Sequence, residues 1–158
     1  MINKITLFLS TIVLLTFCIS IKGQVNSKKL FKIIPKERRE ILISRLNLFI
    51  AYNKSLKFDE LYDLLSNRYK KNHSLDRQLY INHNENLVRA ESRELLIEFT
   101  PIEVVKFSEK DNGCEEEFEI RGKAKYRIGN KTYKAEKFLF VCSQNNNWYF
   151  TDFLEADH

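Results

Sequence analysis

Residues 118–141, FEIRGKAKYRIGNKTYKAEKFLFV, decide the fold of this chain. From Phe118 to Ile128 every even-numbered position is apolar or small, and every odd-numbered position is charged. Because side chains alternate between the two faces of a strand, this pattern predicts a strand with one buried face. Gly129 and Asn130 are typical of a two-residue hairpin turn, so the numbers of paired residues should sum to 259, as 129 and 130 do.

This register makes chemical sense on both faces of the predicted hairpin. On the apolar face it sets Tyr126 opposite Tyr133, and on the other face it sets Lys123 opposite Glu136. A second turn, at Asn145 and Asn146, leads into a third strand with the sequence WYFTDFL. The same parity puts four residues of that strand on the apolar face: Trp148, Phe150, Asp152 and Leu154.

Helical patterns precede the strands. Residues 34–54, IPKERREILISRLNLFIAYNK, place apolar side chains on one stripe at helical spacing, with Pro35 in the first turn. A second, shorter helix is predicted in KFDELYDLLSNRYKK, with Asp59 as its cap. Helices first and strands last predict an α+β fold, with N-terminal helices packed on the concave face of a strongly bent antiparallel sheet.

The N-terminus predicts export. Lys4 is followed by an uncharged run from Ile5 to Ser20, which is typical of a signal peptide and short for a membrane span of about 20 residues. We expect cleavage near Gly23, and no permanent membrane span. Lipidation of Cys18 is the alternative, which the bulky Phe17 disfavours. The predicted organisation is a signal peptide (1–23), an N-terminal extension (24–34) and one domain (35–158), secreted or periplasmic.

The net charge and the absence of known motifs argue against nucleic-acid, metal and cofactor binding. Removing residues 1–23 takes away two lysines and leaves 24 basic against 21 acidic residues, so no nucleic-acid partner is expected. His73 and His83 stand apart, without metal-binding spacing, so neither a metal site nor a cofactor is expected. The acids of CEEEFE, residues 114–119, are expected to be solvated.

The two cysteines that remain after cleavage, Cys114 and Cys142, leave two states open. An oxidising compartment allows a disulfide between them. Continuing the register, however, puts Cys142 opposite Glu117 on the outer face and points Cys114 inward. A bond would then need a bulge or a loop at Cys114, so free thiols are the prediction.

Several segments resemble the nuclear-transport-factor-like, cystatin-like superfamily of cone-shaped α+β domains. The resemblance covers residues 35–156 and lies in the helix-helix-then-sheet order and in the segments FDELYDLLS, FTPIEVVKF and NNNWYFTDF. It implies a pocket between the helices and a concave sheet, and frequent dimerisation through the sheet. Members include isomerases, dehydratases and domains that only bind, so the fold alone does not decide the function.

Candidate ligand-binding residues share the predicted inner face: Tyr126, Tyr133, Trp148 and Asp152. A carboxylate among apolar side chains has a raised pKa and can act as an acid or base, which makes Asp152 the candidate catalytic residue.

The predicted function is a non-catalytic domain that binds a small apolar ligand or a protein. One alternative is a small isomerase or dehydratase that uses Asp152, and another is a secreted inhibitor or immunity-type protein. An aromatic row on the outer face also predicts a homodimer. That row consists of Phe138, Phe140, Tyr149 and Phe153.

Overall fold

The computed structural model describes residues 30–107 and 114–155, with the backbone alone described for Phe107 and for residues 152–155. The predicted signal peptide lies outside the described residues. The helices are α1 (Lys36–Lys54), α2 (Phe58–Leu64), α3 (Asn67–Asn72) and α4 (Arg77–Arg89). The strands are β1 (Leu95–Phe107), β2 (Glu116–Ile128), β3 (Lys131–Gln144) and β4 (Asn147–Glu155).

The strands form one open antiparallel sheet in the order β1-β2-β3-β4. The predicted α+β class and the helix-first order are therefore confirmed. Its inner face, which carries Ile120 and Leu139, is packed against the helices, and its outer face carries Arg121 and Lys123. The strong bend of the sheet stays a prediction.

The β2–β3 hairpin has the predicted register throughout. Its pairs run from Glu116 with Ser143 to Ile128 with Lys131, so every pair sums to 259. Gly129 has a φ of +53° at the turn, a conformation that an L side chain adopts only with strain. Turn chemistry and alternation therefore select one register together.

Strand β4 departs from the predicted register by one residue. Val141 pairs with Phe150 as predicted, but Phe140, and not Leu139, pairs with Asp152. A bulge at this point adds Thr151 to β4 without a partner position on β3. The predicted pairing of Leu139 with Asp152 is wrong, because one extra residue inverts the parity of everything after it.

The second predicted helix is broken in two. Leu65 has extended backbone and forms an isolated parallel bridge with Phe150 of β4. The Ser66 amide donates to the Phe150 carbonyl oxygen at 2.9 Å, and the Ser66 hydroxyl accepts from the Tyr69 amide at the start of α3. A tertiary contact with β4 thus interrupts a run that sequence alone predicts as one helix.

The core lies between α1 and α2 and the inner face of the sheet. Its largest fully buried side chains include Trp148, Phe118 and Phe150, and it also takes in Phe31 and Ile34 from the segment before α1. No helix within the described ranges has the length and apolar character needed to cross a membrane.

Gly122 marks a close approach within the sheet. A Cβ atom at this position would lie 2.4 Å from the tip of the Phe99 ring, so the ring of this β1 residue lies directly over the glycine. Pro101 pairs with Gly122 and adjoins a register shift of β1. The absence of a side chain at Gly122 therefore allows Phe99 to pack into the core.

We predict that Gly122→Ala lowers the free energy of unfolding by about 1–3 kcal/mol, because the Phe99 ring must move. Adding Phe99→Leu frees the space, so the double variant should lose less than the sum of the two single losses. Urea denaturation of the four proteins measures the coupling. Strictly additive losses would show that the ring does not restrict Gly122.

Candidate functional site

The structure divides the four predicted ligand residues between two ends of the sheet. Tyr126 and Tyr133 form a cross-strand pair near the β2–β3 turn, whereas Trp148 pairs with Ser143 at the far end of β3. Tyr133 and Ser143 are ten residues apart, which at about 3.3 Å per residue is roughly 33 Å along the strand. These residues do not form one pocket.

Trp148 is a structural residue of the core. Its side chain is fully buried, and its ring meets Phe118 edge-on at 5.5 Å between centroids. The indole Nε1 donates to the Arg38 carbonyl oxygen of α1 at 2.9 Å, and the Arg38 guanidinium lies 5.0 Å from the ring centre. Trp148 therefore connects β4 to α1 through a hydrogen bond and a cation–π contact.

The pairing in the structure does not place Asp152 on the inner face. The prediction of an inward catalytic acid depended on the pairing of Asp152 with Leu139, an inner-face residue, but the bulge pairs Asp152 with Phe140 instead. The Asp152 side chain itself lies outside the described part of the chain. The pairing that remains gives no support to a catalytic carboxylate at this position.

Tyr126 and Tyr133 come together as predicted. Their rings stack at 5.5 Å between centroids with an interplanar angle of 18°. Tyr126 is 7% exposed and Tyr133 is 40% exposed, so the pair extends from the core to the surface. One aromatic face is thus available at the rim of the inner face.

A buried lysine, Lys137, lies beside this pair. It is 2% exposed, its Nζ lies 2.9 Å from Glu94 Oε1, and the same Nζ lies 4.6 Å from the centre of the Tyr126 ring. Such a cation is stabilised by both the carboxylate and the ring. We call Glu94, Tyr126, Tyr133 and Lys137 the aromatic–lysine cluster.

Sequence reasoning missed Lys137, although a signal for it existed. The 259 register places Lys137 opposite Gly122 on the inner face, and the structure has this pair. A lysine at an inward position of an otherwise apolar strand was the available indication.

A second charged group lies at the Trp148 end of the sheet. Glu116 accepts from Arg38 Nη1 at 2.6 Å and from Lys106 Nζ at 2.7 Å, and its side chain is 21% exposed. Since Arg38 also lies over Trp148, this ion pair supports the contact between α1 and the sheet.

The two neighbouring acids are also held by partners. Glu117 forms an ion pair with Arg68 of α3, and Glu115 accepts from the Ser143 hydroxyl and the Asn145 amide, each at 3.1 Å. The expectation that the acids of this segment are solvated is wrong for Glu116 and Glu117, whose side chains are 21% and 12% exposed, whereas Glu115 is exposed as predicted. Their carboxylates join the helices and the β3–β4 turn to β2.

The two cysteines form a disulfide, with 5.4 Å between their Cα atoms. Cys142 pairs with Glu117, as the register predicts, but β2 begins only at Glu116, so Cys114 lies outside the ladder. The prediction of free thiols is wrong, because it extended strand geometry to a residue that is not in the strand.

The two internal histidines, His73 and His83, lie on different helical segments. His73 ends α3, where its Nδ1 lies 2.9 Å from the Tyr69 carbonyl oxygen, and His83 is exposed on α4. Within residues 30–107 and 114–155, no group of three or more His, Cys, Asp or Glu side chains could hold a metal ion.

Comparison with known proteins finds similarity to solved structures but no match to a family. No protein-family model matches the chain, and no curated protein matches it. The chain is similar to the solution structure of a SEC-C motif-containing protein from Rhodopseudomonas palustris, with 14% identity, a TM-score of 0.41, and coverage of 81% of this chain and 87% of that one. At this TM-score the likeness supports no functional argument. The resemblance to the nuclear-transport-factor-like superfamily is wrong, since none of the comparisons supports that superfamily and the solved structure described above is a SEC-C motif-containing protein.

We predict that replacing both cysteines by alanine lowers the free energy of unfolding by about 3–4 kcal/mol, the chain-entropy value for a loop of this length. The separation of 28 residues sets that length. Non-reduced protein should have a mass two units below that of the reduced chain. Equal masses, or equal stability of the double variant, would contradict the bond.

Proposed function

We propose that this chain is an exported, non-catalytic binding domain that holds a small apolar ligand at the aromatic–lysine cluster. One observation carries the proposal: the stack of Tyr133, which is 40% exposed, on Tyr126, which is buried. An exposed ring held rigidly by a buried one offers a flat apolar contact at little entropic cost. The chemistry of this arrangement suits an aromatic or alicyclic ligand.

The charged groups near the stack favour binding over catalysis. Lys137 is buried and ion-paired with Glu94, so its amine is not offered as a free nucleophile. The acids at the other end of the sheet are likewise engaged, as Glu116 is with Arg38. We therefore assign a structural role, and not proton transfer, to these polar groups.

A concave inner face would give the ligand a pocket, and the packing of α1 supports this part of the proposal. Helix α1 approaches both edge strands, β1 and β4, within the described residues. A helix that meets the two edges of a sheet is expected where the sheet curves around it. We propose that this curvature leaves the turn end of the β2–β3 hairpin open beside Tyr133.

The disulfide supports the proposed location. Cystine bonds persist in the periplasm and outside the cell, and are rare in reducing compartments. The bond between Cys114 and Cys142 agrees with the uncharged N-terminal run that predicts a signal peptide. We therefore propose a secreted or periplasmic protein.

Nile red, a neutral aromatic dye, tests the site. We predict saturable fluorescence enhancement in the wild type, and a loss of affinity of about three- to tenfold for Tyr133→Ala, because one stacked ring is worth about 0.5–1.5 kcal/mol. Thr132→Ala is the control, since this exposed neighbour lies on the other face of β3. Equal affinity in all three proteins would reject the site.

A second function, assembly through the outer sheet face, is favoured by a separate observation. Phe138, Phe140 and Tyr149 are half-buried residues of the outer face, and Val105 is 43% exposed there. We propose that Phe138, Phe140 and Tyr149 form a twofold homodimer interface. The predicted place of Phe153 in this row is wrong, because the bulge at Thr151 pairs Phe153 with Leu139 of the inner face. An isologous contact buries the same patch on both copies.

Sedimentation at tens of micromolar tests the dimer. The wild type should sediment as a dimer, and Phe138→Asp as a monomer, because the change puts a charge into an apolar interface. Thr132→Asp, at the far end of the same strand, should leave the dimer intact. A monomeric wild type, or a dimeric Phe138→Asp, would remove this proposal.

A further inference from the structure

A crevice of about 260 Å³ lies at the start of β1, away from the aromatic–lysine cluster. It is bounded by the α1–α2 connection, the end of α4 and the β2–β3 turn. We call it the arginine crevice, after the two arginines in its lining. Its lining residues are Leu56, Val88, Glu91, Arg93, Leu95, Arg127, Gly129 and Asn130.

The first observation is a guanidinium nitrogen without an acceptor. Arg93 is half-buried, its Nε is buried, and no hydrogen-bond acceptor meets that Nε in the described part of the chain. Nearby Tyr80 does not neutralise it, because burial raises the pKa of Tyr80 to about 12 although Arg93 opposes the rise. Buried polar groups of this kind normally have a partner, so its absence calls for an explanation.

The second observation is the charge around it. Arg127 is exposed in the same lining, and no ion pair links it to any acid among the described residues. Glu91 is the one acid of the lining; it lies against Gly129, where an added Cβ would be 3.1 Å from its Oε2. Two cations and one anion leave the crevice with a formal charge of +1.

The third observation is the apolar wall. Leu95 is 6% exposed, and Leu56 is 39% exposed with a φ of +59°, a left-handed conformation that is strained for leucine. The fold holds this leucine at the crevice in spite of the strain. A lining that combines apolar side chains with two guanidinium groups fits a molecule with an apolar body and one anionic end.

We propose that the arginine crevice binds a small amphiphilic monocarboxylate, with its carboxylate between Arg93 and Arg127 and its apolar body against Leu56, Val88 and Leu95. Planar guanidinium groups match the geometry of a carboxylate. A single negative charge balances the +1 of the lining. A crevice of about 260 Å³ has room for a small ligand of this class, such as octanoate.

Octanoate is the probe, followed through backbone amide shifts of the full mature protein. The amides of Leu56, Gly129 and Asn130 should shift saturably, with a dissociation constant of about 1 mM or tighter for ten non-hydrogen atoms. Octanol, which has the same chain without the charge, should bind at least tenfold more weakly. Equal binding of octanol, or no saturation with octanoate, would overturn the proposal.

Substitutions test the charged part and the apolar part of the arginine crevice separately. Arg127→Met, at an exposed position, should weaken octanoate at least about tenfold, because a charged hydrogen bond is lost. Leu56→Asn suits the left-handed backbone, so it should fold and yet weaken binding through the lost wall. Arg89→Met, an exposed change on α4 outside the lining, is the control and should bind as the wild type does.

Arg93→Met should abolish saturable binding, and its thermal unfolding reports separately whether the fold survives. If that variant fails to fold, Arg127→Met and Leu56→Asn decide the proposal on their own. Unchanged octanoate affinity in both would overturn it. Tyr133→Ala should leave octanoate binding unchanged, so failure here and failure of the aromatic–lysine cluster are distinguishable.

Discussion

The pairing register of β2 with β3 is the constraint on which the rest of the structure depends. A shift of one residue would exchange the two faces of the hairpin and expose Phe118 and Ile120, which are fully buried. The turn at Gly129 and the alternation of charged and apolar residues both select the observed pairing. Two local signals that agree are what make a sheet of this kind specific.

The same register determines where polar groups meet the core. It brings Tyr126 and Tyr133 into one stack, and it sets Lys137 next to them on the inner face. Burying an ammonium group is costly unless a carboxylate meets it, and Glu94, directly before β1, supplies that carboxylate. The aromatic–lysine cluster is therefore a consequence of strand pairing together with the entry of the chain into β1.

Parity arguments predicted the hairpin because every residue of β2 is paired, without interruption, with a residue of β3 in one ladder. They failed where the ladder is interrupted. Thr151 adds one residue to β4, and Cys114 precedes β2, so neither the neighbourhood of Asp152 nor the disulfide followed from alternation. The position of a bulge depends on three-dimensional packing. Nothing in the local sequence WYFTDFL indicates that a bulge occurs at Thr151.

Tertiary contacts also decided the helices. The run from Lys57 to Lys71 has helical character throughout, but the bridge from Leu65 to Phe150 breaks it. Element order misled in another way: helices followed by a sheet are common to many α+β folds, so that order could not identify a superfamily. By contrast, the inner-face position of Lys137 could have been predicted from the sequence, because the hairpin register already assigned this residue to that face.

Interstrand backbone contacts between β3 and β4, measured by nuclear Overhauser spectroscopy, test the account most directly. The account predicts Val141 opposite Phe150 and Phe140 opposite Asp152, with Thr151 unpaired between them. Contacts that place Leu139 opposite Asp152 would contradict it. They would restore an unbroken ladder, and with it the inward assignment of Asp152 that the bulge removes.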